Sequence, residues 1–167
     1  MNDTYVEVMV ARKKNPMLGV GRILMFVLAA ICLLIGLFAN MIFLLGAVLF
    51  GVIAYVVLPR FDIEYEYLYL DKEITVDKIM SKEKRKRVYT VDLNRMEFMA
   101  RKNSHELDSY KARNLKSYDF TSAEEGAKVY TIVYASADEG TVLVDIEPNE
   151  EMLQAIRNVF PRKVIDI

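Results

Sequence analysis

The sequence predicts an α+β membrane protein: a two-helix transmembrane hairpin, then an antiparallel β-barrel or sandwich of about seven strands with a C-terminal capping helix. Three observations predict it. From Ile23 to Leu58 the chain is apolar, and Asn40 is its one strongly polar residue. After Pro59 the apolar period becomes two and returns in short runs as far as Ile146. The segment after Pro148 then takes up a helical period.

The apolar block is too long for one span. A membrane helix needs roughly 20 residues to cross a hydrocarbon core of about 30 Å. One helix through the whole block would run about 54 Å, an excess that tilt does not absorb cheaply. Asn40 divides the block into two spans, Ile23–Ala39 and Met41–Leu58, and Gly36 and Asn40 tolerate a reversal near Leu37–Met41. Arg12, Lys13, Lys14 and Arg22 flank the first span, Arg60 follows the second, and the turn is uncharged. Cations stay on the cytoplasmic side. The expectation is therefore a multi-pass protein of the inner or plasma membrane with both termini cytoplasmic. A cleaved signal peptide fits poorly, because no A-x-A site ends the first span and a second apolar arm follows. Small residues four apart, Cys32 with Gly36 and Ala47 with Gly51, are candidates for close helix–helix contact. Cys32 is the only cysteine, and at membrane depth it reads as a packing residue.

Residues 1–22 form the segment before the hairpin. Tyr5, Val6, Met9 and Val10 share a helical face, while Val6, Val8 and Val10 alternate as in a strand. Ahead of a membrane anchor, a short interfacial helix is the favoured reading. Pro16 and Gly19 are expected to loosen the chain before the first span.

Residues 59–167 are expected to form the cytoplasmic domain. Phe61, Ile63, Tyr65, Tyr67 and Tyr69 alternate with Asp62, Glu64 and Glu66 in a first strand. The tyrosines read as core or rim, with an exposed protein-binding face as the other possibility. A turn at Asp71-Lys72-Glu73 leads to a second strand through Ile74, Val76 and Ile79. The basic connection Ser81–Lys86 precedes a third strand, Val88–Leu93, and Met96–Ala100 is the fourth. Residues Arg101–Lys116 read as a polar loop. Ser117–Phe120 is a short fifth strand. Val129–Ala135, β-forming on both faces, is a central strand. Asp138-Glu139-Gly140 signals a hairpin into Val142–Ile146. Pro148, Glu150 and Glu151 mark a helix start. Met152, Leu153, Ile156, Val159 and Phe160 share its apolar face, and Pro161 ends it.

Seven strands and a terminal helix follow the layout of a pleckstrin-homology-like (PH-like) domain, in which the helix plugs one open end of a folded sheet. The whole chain resembles an uncharacterised family of small bacterial membrane proteins with an N-terminal helical hairpin and a PH-like cytoplasmic domain. The resemblance rests on the hairpin, the FDIEYEYLYL strand with KEKRKR after it, and the EPNEEMLQAIRNVF helix. It implies architecture and leaves activity open.

Catalytic signals are weak. His105, the only histidine, lies in the polar loop with Glu106 and Asp108 as its near partners, and no P-loop, G-x-S-x-G or H-E-x-x-H pattern occurs. No enzyme activity, cofactor or metal is expected. The strongest binding signal is Lys82, Lys84, Arg85, Lys86 and Arg87. In PH domains such clusters hold phosphoinositide headgroups, so the resemblance implies contact with anionic lipid. Alternation sends Lys84 and Lys86 one way and Arg85 and Arg87 the other, which suits electrostatic docking better than a shaped pocket. A solvated hairpin tip that keeps an edge strand soluble is the plain alternative. Nucleic acid is disfavoured, since no aromatic residues interleave the cations. The expected role is a non-enzymatic membrane-anchored module whose partners are the lipid bilayer, its anionic headgroups or another membrane protein. The alternative role is an accessory subunit of a transport or envelope complex with the hairpin as interface.

Overall fold

The computed structural model describes residues 5–13, 16–57, 63–80 and 84–165. Two compact units are formed, one from 1–12, 64–79 and 85–167, the other from 13–63 with 80–84.

In the helical unit, α1 spans Pro16–Phe38 and α2 spans Phe43–Val52, continued by a π-helical turn, Ile53–Val57. Helix α1 starts well before the apolar block. Pro16 therefore opens the helix instead of loosening the chain, because a proline without an N–H suits the first helical position. The stretch Met17–Phe38 is long and apolar enough to cross a membrane; Phe43–Val56 is a shorter apolar helix. The reversal falls at Asn40. The amides of Ala39 and Asn40 both donate to Ile35 O, at 2.8 and 3.1 Å. Asn40 Oδ1 accepts from the Ile42 amide at 3.0 Å, and Asn40 O accepts from the Phe43 amide. The side chain thus completes the turn that a run of apolar residues could not. The two helices pack antiparallel. A Cβ on Gly36 would stand 2.7 Å from Leu44 Cδ2, and one on Gly46 would stand 3.5 Å from Cys32 Sγ. Ala47 is half-buried, but nothing lies within 4 Å of where a Gly51 Cβ would be. The close approach thus runs along Cys32 and Gly36 against Gly46 and Leu44, and Gly51 takes no part.

The first strand of the β unit comes from the N-terminal segment. β1 (Val6–Ala11) pairs antiparallel with β2 (Ile63–Leu70) in the register Val6↔Tyr69, Val8↔Tyr67, Val10↔Tyr65 and Ala11↔Glu64. The interfacial helix expected here does not form. The period-two reading prevails because Val6 and Val8 are buried and Met9 is exposed, as one sheet face requires. A domain beginning at residue 59 therefore lacks its own first strand. The apolar helices sit in the connection between β1 and β2.

β2 turns at Asp71 and Lys72, both with positive φ (50° and 66°), into β3 (Glu73–Met80), and β4 (Lys84–Asp92) completes the sheet β1-β2-β3-β4. Tyr65, Tyr67 and Tyr69 all point into the core. Tyr67 is fully buried; its hydroxyl donates to Phe120 O at 2.5 Å and accepts from the Glu147 amide at 3.4 Å.

The second sheet has the order β6-β8-β7-β5-β9, from β5 (Met96–Arg101), β6 (Ser117–Asp119), β7 (Tyr130–Ser136), β8 (Gly140–Ile146) and β9 (Val164–Ile165). β7 is central, as its two apolar faces predict. Gly140 supplies the φ of +73° needed at the β7–β8 turn. The polar loop after β5 is more than a loop. It holds a 3₁₀ turn at His105–Leu107 and α3 (Asp108–Lys111), and Leu107 is buried with Ala100, Val133 and Leu143. α4 (Glu150–Val159) is capped by Asn149 Oδ1, which accepts from the Met152 amide at 2.8 Å. It buries Met152, Leu153, Ala155 and Ile156 and packs on β1, whereas Val159 is exposed.

The β1 assignment separates two neighbouring residues. Val8→Asp should lower the urea-unfolding stability of the β unit by about 3 kcal/mol, since it buries a charge in the core. Met9→Thr, on the exposed face opposite Glu66, adds no charge and should change it by less than about 0.5 kcal/mol. Equal effects would remove β1 from the sheet.

Candidate functional site

The basic run does not end in a connection; it begins a strand. Lys84, Arg85, Lys86 and Arg87 are the first four residues of β4, all exposed, at one edge of the first sheet. Lys82 lies outside the described residues. A run of four like charges strains a strand by self-repulsion. The sheet supplies counter-charges for half of them. Arg85 Nη2 donates to Glu66 Oε1 on β2 at 2.6 Å. Arg87 Nε lies 3.6 Å from Asp77 Oδ1 on β3. The two carboxylates are buried, with side chains 1% and 8% exposed, while the arginines are 56% and 65% exposed.

Glu66 is the anchor of this face. Burial pushes its carboxyl above the ordinary glutamate range, a hydrogen bond with Glu7 on β1 adds to the rise, and Arg85 opposes it. Its Oε2 finds no donor among the described residues. As a carboxylate that oxygen is orphaned. Glu7 moves the other way, held low first by the Tyr5 hydroxyl, which donates to it at 2.8 Å, and then by Glu66.

The other cations take varied places. Arg12, expected to flank the membrane, donates from Nη1 to the Tyr65 hydroxyl at 3.0 Å and is half-buried in the β unit. Lys13 is exposed. Arg22 stands in α1 with its guanidinium 6.0 Å from the Phe26 ring centroid. Lys14 and Arg60 lie outside the described residues. A separate ion pair, Lys102 Nζ to Asp145 Oδ2 at 2.7 Å, joins a half-exposed lysine to a buried aspartate of the second sheet; Asp145 also accepts from Thr131 at 2.6 Å. Asp145 raises the Lys102 ammonium above its usual value. Glu147 accepts from both the amide and the hydroxyl of Ser122, tying the loop after β6 to the end of β8.

His105 is fully exposed, and its ring reaches only Asp108, at 3.2 Å. Ser104 donates to Glu106 beside it. Among the described residues no three His, Cys, Asp or Glu side chains gather as a metal site. Sequence reasoning missed Glu66 and Asp77 as partners of the basic run. Their signal was present as acidic residues on the polar face of a period-two strand, but pairing them with Arg85 and Arg87 needs the strand order.

Two sheets, a terminal helix and a tyrosine-rich core define a PH-like domain, here with an apolar helix pair between its first two strands. The chain belongs to the family described as Bacterial PH-like domain (DUF6106), which matches residues 2–166. No curated protein and no solved structure matches it.

The raised Glu66 carboxyl gives a signed pH effect. Its folded value lies above its unfolded one, so its contribution to stability is fully present below the ordinary glutamate range and is lost as pH rises through the folded value. Glu66→Gln removes that loss. The variant should unfold at higher urea than the parent at neutral pH, and the two curves should converge as pH falls into the glutamate range. A gap independent of pH would mean that Glu66 does not titrate in this way.

Proposed function

We propose that the protein is a non-enzymatic membrane-anchored module that holds a PH-like domain against the inner leaflet, with β4 as the strand that meets anionic lipid. The observation that carries this reading is the β1–β2 ladder. Ala11 is registered with Glu64, so the segment between them leaves and returns to one point of one sheet. Any membrane it enters must be crossed an even number of times. The apolar part of α1 from Ile23 runs about 24 Å, and α2 with its π-helical continuation runs about 22 Å. Both lengths fall several ångströms short of a core about 30 Å thick, a mismatch that local thinning of the bilayer absorbs at modest cost. No charge lies between Arg22 and the end of the apolar block, so nothing charged has to cross. The cations on the two flanks favour the cytoplasmic side for both ends.

Each exposed lysine or arginine near an anionic surface contributes about 1 kcal/mol within a Debye length of about 8 Å. The tether means that no separate association step is needed. Another membrane protein, bound alongside, is a compatible partner for the exposed apolar faces of the helices.

The test uses the full chain in nanodiscs of phosphatidylcholine alone or with phosphatidylglycerol. Amide exchange over 84–92 should slow with the anionic lipid and recover at high salt. Identical exchange in both discs overturns the docking.

A further inference from the structure

Of the four described cations on β4, only two have nothing to hold them. We propose that Lys84 and Lys86 make the lipid contact, while Glu66 and Asp77 withhold Arg85 and Arg87 from the membrane. This rests on the docking reading above and divides its surface into a working half and a restrained half.

The asymmetry lies in burial. In each ion pair the carboxylate is covered and the guanidinium is more than half exposed. The carboxylates cannot follow a departing arginine into solvent. Glu66 already has one oxygen without a donor, and Asp77 Oδ1 has no hydrogen bond, only the Arg87 guanidinium at 3.6 Å. Taking Arg85 or Arg87 away would leave a buried charge uncompensated, a larger loss than one headgroup contact recovers. Lys84 and Lys86 face no such restraint. Both are exposed, and among the described residues no ion pair or hydrogen bond holds either side chain. Lysine also suits the task. Its compact ammonium on a flexible stem meets a diffuse anionic surface without demanding bidentate geometry, which the arginines instead use on their carboxylates.

The consequence is unusual for an acidic residue remote from the lipid. Neutralising Glu66 and Asp77 should strengthen docking by releasing two more cations. The buried carboxylates thus set how many of the cations count.

The experiment uses the full chain in nanodiscs of increasing phosphatidylglycerol content. For each variant, exchange over 84–92 is compared with the same variant in phosphatidylcholine alone, and exchange over 65–69 and 130–136 reports that both sheets are intact. The readout is the anionic fraction giving half-maximal protection. Lys84→Gln/Lys86→Gln should at least double that fraction or abolish the protection. Arg85→Gln/Arg87→Gln should leave it within the scatter of the parent. Glu66→Gln/Asp77→Asn should halve it or better. The inference is overturned if the arginine pair shifts the fraction as much as the lysine pair, or if the carboxylate pair leaves it unchanged in a folded domain. A parent chain with no dependence on phosphatidylglycerol would instead overturn the docking reading itself.

Discussion

The antiparallel ladder between β1 and β2 is the constraint on which the rest depends. It joins residues 6–11 to residues 64–69 across the apolar helices. Because the ladder closes, the helices cannot be a detachable anchor in front of a domain. They are a connection inside it. The Val6 and Val8 side chains complete the core over Tyr67 and Tyr69, and α4 packs on the same strand. Removing the N-terminal segment would therefore open the sheet at the strand that the capping helix covers.

The second constraint is electrostatic. A strand that starts Lys-Arg-Lys-Arg needs a reason to pair at all. Glu66 and Asp77 provide one, at the cost of keeping two carboxylates out of water. The asymmetry of burial decides what each pair does: a covered carboxylate left alone keeps an uncompensated charge, while its arginine is already more than half exposed. The edge strand is thereby fixed in register from beneath while its lysines stay free above. Four cations at a sheet edge also discourage a second copy from adding there, since like charges would meet.

Much of the architecture was legible in residue order. The period of two through Ile63, Tyr65, Tyr67 and Tyr69, the β-forming Val129–Ala135 segment, the Asp-Glu-Gly turn and the helix start marked by Glu150 and Glu151 all carry local signals, and the structure has each. Asn40 was legible as the reversal because only a polar side chain can complete a turn within an apolar run. What local pattern could not give was partnership. Val6, Val8 and Val10 alternate correctly for a strand, but their partner lies beyond the helices, so a local reading sees no sheet for them to join. β9 has two residues, too few to show any period. Leu107 sits in a polar stretch and is buried only because Ala100, Val133 and Leu143 meet there. The ion pairs on β4 were invisible for the same reason: they depend on strand order, which short-range periodicity does not encode.

Interrupting a sheet with apolar helices has an energetic logic. Closing a flexible connection of about 50 residues costs on the order of 3 kcal/mol in chain entropy beyond a constant term. Within that connection α1 and α2 pack antiparallel, with Leu44 filling the space that a side chain at Gly36 would need, so fewer residues are left free when the strands pair. Helix packing thus offsets much of the closure cost of the β1–β2 ladder. The dependence also runs backwards. Once paired, the strands hold the ends of the helices together and oppose their separation. Each unit lowers the entropy the other must overcome.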